Sequence, residues 1–159
     1  MKTLFLIILS GLNFLTLQAQ NQIWTPILND YLTLEDALVA SNTSEAKKAL
    51  AKFEQDLQQI DLKSVKNEHQ KNLKQLATQV EKSQKAASLE EFRSGFEKIS
   101  ASMIELAELK AFDIEALYIV YCPMKKASWL DDTKTVKNPY YGKSMLTCGS
   151  IKKTIELKK

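Results

Sequence analysis

Residues Ser88–Lys110 read SLEEFRSGFEKISASMIELAELK. The opening Ser88-Leu89-Glu90-Glu91 is a capping box: the serine accepts a backbone hydrogen bond from three residues on, and the glutamate reaches back to the serine N–H. Phe92, Phe96, Ile99, Met103, Leu106 and Leu109 then recur at helical spacing, so one face of a long helix is apolar. Such a face has to be buried, and the rest of the chain must supply its partners.

Toward the N-terminus, residues 23–110 are rich in Ala, Leu, Glu, Lys and Gln, with no proline after Pro26 and Gly95 as the single glycine. This is helix-forming composition. Tyr31, Leu34, Ala37 and Leu38 mark one helix, ending near Ser41-Asn42-Thr43-Ser44. Ser44 is in place to cap a second, carrying Ala46, Ala49, Leu50, Phe53, Leu57 and Ile60. A third is predicted from Leu62 to Ala86 through Val65, His69, Leu73, Leu76 and Val80. Four amphipathic segments with short connections predict a mainly α fold, an antiparallel four-helix bundle. His69 lies among polar neighbours, which predicts a partly exposed surface histidine.

Beyond Lys110 the character changes. IEALYIVY, Ile114–Tyr121, is β-branched and aromatic enough for a strand, and Ile151, Thr154, Ile155 and Leu157 suggest another. Pro123, Asn138-Pro139 and Gly142 punctuate turns between them. The C-terminal part is therefore expected to be an irregular excursion flanked by a short β-ribbon, with Asp131 and Asp132 ending a turn in solvent. Trp129, Tyr140 and Tyr141 are expected to tie this excursion to the helices.

The first residues have a different character again. Met1-Lys2 precedes the apolar run Leu4–Leu9, no acidic residue occurs before Asp30, and Ala19-Gln20 offers a small residue before a cut. That pattern predicts a signal peptide, residues 1–19, too short to span a bilayer, and one exported domain, residues 20–159, in a bacterial periplasm. The chain has 22 basic and 19 acidic residues, one of the basic ones in the leader. The basic residues do not cluster on one face, so nucleic acid is not implied.

Both cysteines fall in the segment 121–149, as Cys122-Pro123-Met124 and Met145-Leu146-Thr147-Cys148. Residues two apart in an extended segment point the same way, and a spacing of three suits a tight turn. If the ends of the excursion meet, two thiolates and two thioethers converge. Soft ligands of this kind select Cu(I) or its relative Ag(I), whereas Zn(II) gains little from thioether. The same cysteines can instead form a disulfide closing a loop of roughly 27 residues, with a stabilisation on the order of 3 kcal/mol. Thiol redox chemistry is the third possibility. No Ser-His-Asp set or C-x-x-C motif is present, so an enzyme is not expected.

The runs YCPM, WL, NPYYG, ML and CG, with YLTLEDALVASN and FRSGFEKIS before them, resemble the domain of unknown function 3347, an exported family common in Bacteroidetes. The matching positions are Cys122, Pro123, Met124, Trp129, Asn138, Pro139, Tyr140, Gly142, Met145, Cys148 and Gly149, and Asp131 stands where the family often has serine. Relatives occur alone or joined to periplasmic adaptor subunits of copper- and silver-type efflux pumps. The resemblance implies a periplasmic metal-binding protein with Cys122, Met124, Met145 and Cys148 as ligands. Its cargo would be Cu(I), with Ag(I) or Zn(II) less favoured, and its partner an efflux adaptor. The alternative is a metal-free envelope interaction module stapled by Cys122–Cys148.

Overall fold

A computed structural model of the chain describes residues 23–157. The signal peptide expected at residues 1–19 lies outside them. The described chain is mainly helical, followed by a small antiparallel sheet. Helix α1 covers residues 23–39, α2 Thr43–Gln58, α3 Asn67–Ser83 and α4 Leu89–Glu108. The strands are β1 Ala116–Cys122, β2 Ala127–Asp131 and β3 Ser150–Glu156.

Helices α2 and α4 start where a side chain can satisfy an orphan N–H. The capping box of α4 forms in full, with Ser88 Oγ accepting from Glu91 N and the Glu91 carboxylate accepting from Ser88 N. The cap of α2 is Asn42, accepting from Glu45 N at 3.1 Å, and not Ser44. The third helix is shorter than its periodicity predicts. Asp61 accepts from Lys63 N and caps a separate 3-10 turn, Leu62–Ser64. Val65 is then extended, so α3 begins only at Asn67.

Buried apolar side chains from all four helices share one core with the inner sheet residues. Helix α3 packs on α4, with Ser83 against Gly95 so closely that a Cβ on Gly95 would stand 2.3 Å from the serine oxygen. Strand β2 packs on α4 from the other side. Tyr31 of α1 joins these layers. Its ring stacks on Phe96 of α4 at 5.1 Å, and its hydroxyl shares a hydrogen bond with Ser100 Oγ and accepts from Leu130 N of β2.

The sheet order is β2-β1-β3, all neighbours antiparallel. Strands β1 and β3 are the expected ribbon. The segment between them is not wholly irregular as expected, because β2 turns back directly onto β1. Pro123-Met124-Lys125-Lys126 makes the connection, with Lys126 left-handed at φ 59° and its N–H donating to Cys122 O at 2.8 Å. Four-residue hairpins built on a type I turn favour proline at this place, so the C-P-M sequence is also the turn signal for the strand that follows.

Two expectations about exposure are corrected. His69 is buried, 3% exposed, because its Nε2 bonds the Leu109 carbonyl oxygen at 3.1 Å and its ring lies edge-on to Trp24. Asp131 is also buried, since it is the last residue of β2 and not part of a solvent turn, while Asp132 is exposed. Among the described residues no helix is long and apolar enough to cross a membrane.

Between α1 and α2, Asp30 is buried beside Asp56, which also pairs with Lys52. Burial, helped by the charge and hydrogen bond of Asp56 and opposed by Lys52, raises the Asp30 carboxyl from 3.8 to about 6. The folded state therefore holds a proton that the unfolded chain releases first. The Asp30 contribution to stability should fall as pH rises from 3.8 through about 6, then level off. Thermal melts across this range should show a shallower slope in Asp30→Asn than in the wild type, and the variant should gain about 2 kcal/mol at pH 7.

Candidate functional site

The end of β1 and the approach to β3 meet at two sulfurs. Cys122 Sγ and Cys148 Sγ stand 3.4 Å apart, and both thiols are free. Cys122 is the last residue of β1 and completely buried, whereas Cys148 is half-buried. The strand pairing brings them together: Tyr121 lies opposite Ser150, so the residues just outside this pair must approach.

Asn138 completes the junction. Its carboxamide is fully buried, with Oδ1 accepting from Tyr140 N at 2.8 Å and Tyr141 N at 3.2 Å. The amide nitrogen donates to the Cys148 carbonyl and also toward the Cys122 sulfur. One side chain thus folds the Asn-Pro-Tyr-Tyr turn and holds Cys148 at the sheet. Asn138 N in turn donates to Leu146 O at 2.8 Å.

Two glycines are required by close approach. Gly142 has φ +56°, and a Cβ there would meet Ser41 Oγ, Arg93 Nη2 and Val39 O within 2.8 Å. Arg93 of α4 uses the same corner, donating to Pro139 O, Leu38 O and Ser41 Oγ. Gly149 has the Trp129 ring 2.6 Å from the position of a Cβ, so the backbone after Cys148 lies against the indole.

The two thiols are electrostatically unequal. Burial pushes Cys122 up, but hydrogen bonds from Lys125 N, the Cys148 thiol, Asn138 and Met124 N outweigh it and lower its pKa. Cys148 is raised, first by donating to Cys122, then by burial and by the Cys122 charge. The pair therefore ionises at Cys122 first, with Cys148 keeping the shared proton.

Of the four expected ligands, the structure brings the two thiols together. Met124 projects from the hairpin turn and is 62% exposed, so it is no gap-filler in the core. Met145 is half-buried at the close of the 3-10 turn Gly142–Ser144, and its carbonyl accepts from Cys148 N at 3.0 Å. Among the described residues, no group of three or more His, Cys, Asp and Glu side chains gathers around one point. His69, buried between α1, α3 and the end of α4, contacts Trp24, Glu68 and Leu109.

Sequence reasoning missed the acidic pair on the far side of Trp129. Glu35 and Asp131 are both buried and both raised, chiefly by burial. No spacing links Glu35 to Asp131; only the packing of α1 on β2 joins them.

Asn138→Ala removes the donor to Cys148 O and leaves buried turn N–H groups without an acceptor, so a loss of about 2–3 kcal/mol is expected. The Cys122 thiolate should at the same time appear at higher pH. Chemical denaturation together with ultraviolet thiolate titration checks both, and an unchanged titration would show that the amide plays no part in setting the thiolate.

The family model described as "Protein of unknown function (DUF3347)" matches residues 27–114. No curated protein and no solved structure matches the chain significantly. The matched segment runs from α1 to just before β1 and thus covers the helices, while the dithiol lies beyond it. With more than half of its length matched, the chain belongs to this family of proteins of unknown function.

Proposed function

We propose that the chain is a periplasmic soft-metal protein that holds Cu(I) at Cys122 and Cys148, with Met124 and Met145 as flanking thioethers, and passes it to an efflux adaptor. The observation that carries this reading is the 3.4 Å separation of two thiols, one of them poised to ionise. That distance lies between the about 2.05 Å of a disulfide and the roughly 3.8 Å of two thiolates bound tetrahedrally at zinc-like bond lengths. Small side-chain rotations reach either state.

The donor set fits a soft monovalent ion better than zinc. Two thiolates completed by thioether, or by a sulfur from an incoming protein, suit Cu(I) and Ag(I). Zn(II) usually takes four Cys, His or carboxylate ligands. Met124, exposed in the hairpin turn, would be the ligand that exchanges first during transfer, with the buried thiolate of Cys122 the last to let go. The bundle arrangement of the four helices belongs to the same proposal, as a rigid body that presents this end of the sheet.

A second reading draws on the same short separation: an oxidised Cys122–Cys148 pair pins the excursion as a metal-free docking surface. Anaerobic Cu(I) titration of the reduced protein against a competing chelator decides between them. Saturation at one equivalent is expected, lost in Cys122→Ser or Cys148→Ser and weakened about tenfold in Met124→Leu. Affinity should fall on acidification, because protons compete for the thiolates. Absence of saturable binding rejects the metal reading, and a fully oxidised pair in protein taken directly from the periplasm supports the second.

A further inference from the structure

We propose that the metal-free dithiol is a thiol–disulfide exchange site with divided roles: Cys148 takes up an incoming disulfide, and Cys122 closes on it. This goes beyond a static staple and does not require metal binding. Three observations point to it. Cys148 is the reachable sulfur, since Cys122 is completely buried. The two sulfurs are already 3.4 Å apart, so closure needs no change of backbone path. And the buried sulfur accepts a hydrogen bond from Lys125 N at 3.4 Å, which fixes it directly behind the entry sulfur.

The surroundings suit a disulfide-bearing molecule. Of the four large hydrophobic side chains described as exposed, Met124, Leu146 and Ile151 stand at this end of the sheet. Met124 is two residues past Cys122, Leu146 two before Cys148, and Ile151 is paired with Val120. Sequence position and strand register thus put three exposed apolar side chains near the two cysteines.

The steps balance as follows. The proton shared by the pair moves to Cys122 as Cys148 Sγ attacks one sulfur of the external disulfide. A mixed disulfide forms on Cys148, the external S–S bond breaks, and one thiolate leaves, removing the proton from Cys122. The Cys122 thiolate then attacks Cys148 Sγ, the Cys122–Cys148 bond forms, and the second external thiolate departs. The protein's thiol and thiolate are oxidised by two electrons to one disulfide, and the external disulfide is reduced to one thiol and one thiolate, which takes its proton from water.

The probe is oxidised glutathione added to reduced, chelator-treated full-length protein, with acid quenching, alkylation and peptide mapping by mass spectrometry. The wild type should proceed to the internal disulfide without accumulating adduct. Cys122→Ser should accumulate a stable adduct on Cys148, and Cys148→Ser should react at Cys122 at least about tenfold more slowly. Adduct forming on Cys122 at the wild-type rate, or wild-type protein that stops at the mixed disulfide or fails to react, overturns the assignment. If either variant does not fold, substoichiometric maleimide labelling of the native wild type replaces it: Cys148 labelled first supports the proposal, Cys122 first refutes it. Because metal is excluded, a failed Cu(I) titration leaves this result standing.

Discussion

An aromatic seam holds the two halves of the chain together, and the candidate site depends on it. Tyr31 stacks on Phe96, Phe96 meets Tyr140 at 5.9 Å, and Tyr140 meets Trp129 at 6.0 Å, nearly perpendicular. The seam runs from α1 through α4 and the Asn-Pro-Tyr-Tyr turn to β2. A buried aromatic removes about 150–250 Å² from water, which at roughly 25 cal/mol per Å² is an upper limit of about 4–6 kcal/mol each. That exceeds the roughly 1 kcal/mol net of a typical hydrogen bond. The polar contacts along the seam therefore act mainly to fix geometry: Tyr31 to Leu130 N and Tyr140 to Ser128 O set how β2 lies on α4. The seam supplies the energy and these bonds supply the register.

Because Trp129 is locked by that packing, the chain beyond it has little freedom. The indole fills the space where a side chain on residue 149 would stand, so the backbone passes Cys148 at close range with a glycine after it. Asn138 then finds nearly all of its capacity used: two backbone donors on its oxygen, and the Cys148 carbonyl and Cys122 sulfur facing its nitrogen. A carboxamide with this many partners in a buried position specifies a single arrangement, because any alternative leaves several polar groups unpaired. The meeting of the two thiols thus follows from the packing of Trp129 and the bonding of Asn138. No attraction between the sulfurs is needed to explain it.

The helices were legible because their signals are local. The Ser88–Glu91 box is a four-residue pattern, and the stripe Phe92, Phe96, Ile99, Met103, Leu106 is buried throughout, with Leu109 left at the frayed end. The ribbon of β1 and β3 was legible from β-branched composition. Strand β2 was not: Ala127-Ser128-Trp129-Leu130-Asp131 lacks a clean alternation because four of its five residues are buried, and its signal lies in the proline turn before it. His69 was misjudged because its neighbours in sequence are polar, whereas its neighbours in space include Trp24 and the Leu109 carbonyl. The cysteine pair was legible as a juxtaposition. Its asymmetry was not, because the amide of residue 138 and the N–H groups of the hairpin turn reach Cys122 only after folding.

The same asymmetry constrains what the pair can do. Hydrogen bonds from Lys125 N, Met124 N and Asn138 favour charge on Cys122, so its lone pairs become available at lower pH than those of Cys148. A soft metal ion and a disulfide bond both draw on those lone pairs, and each excludes the other, since an oxidised sulfur has no thiolate to donate. On the two proposals made above, metal supply and oxidant supply would compete at Cys148, the sulfur that either must reach first. Helices alone impose no such competition. It arises from a fold that buries one thiol of the pair and leaves the other within reach of solvent.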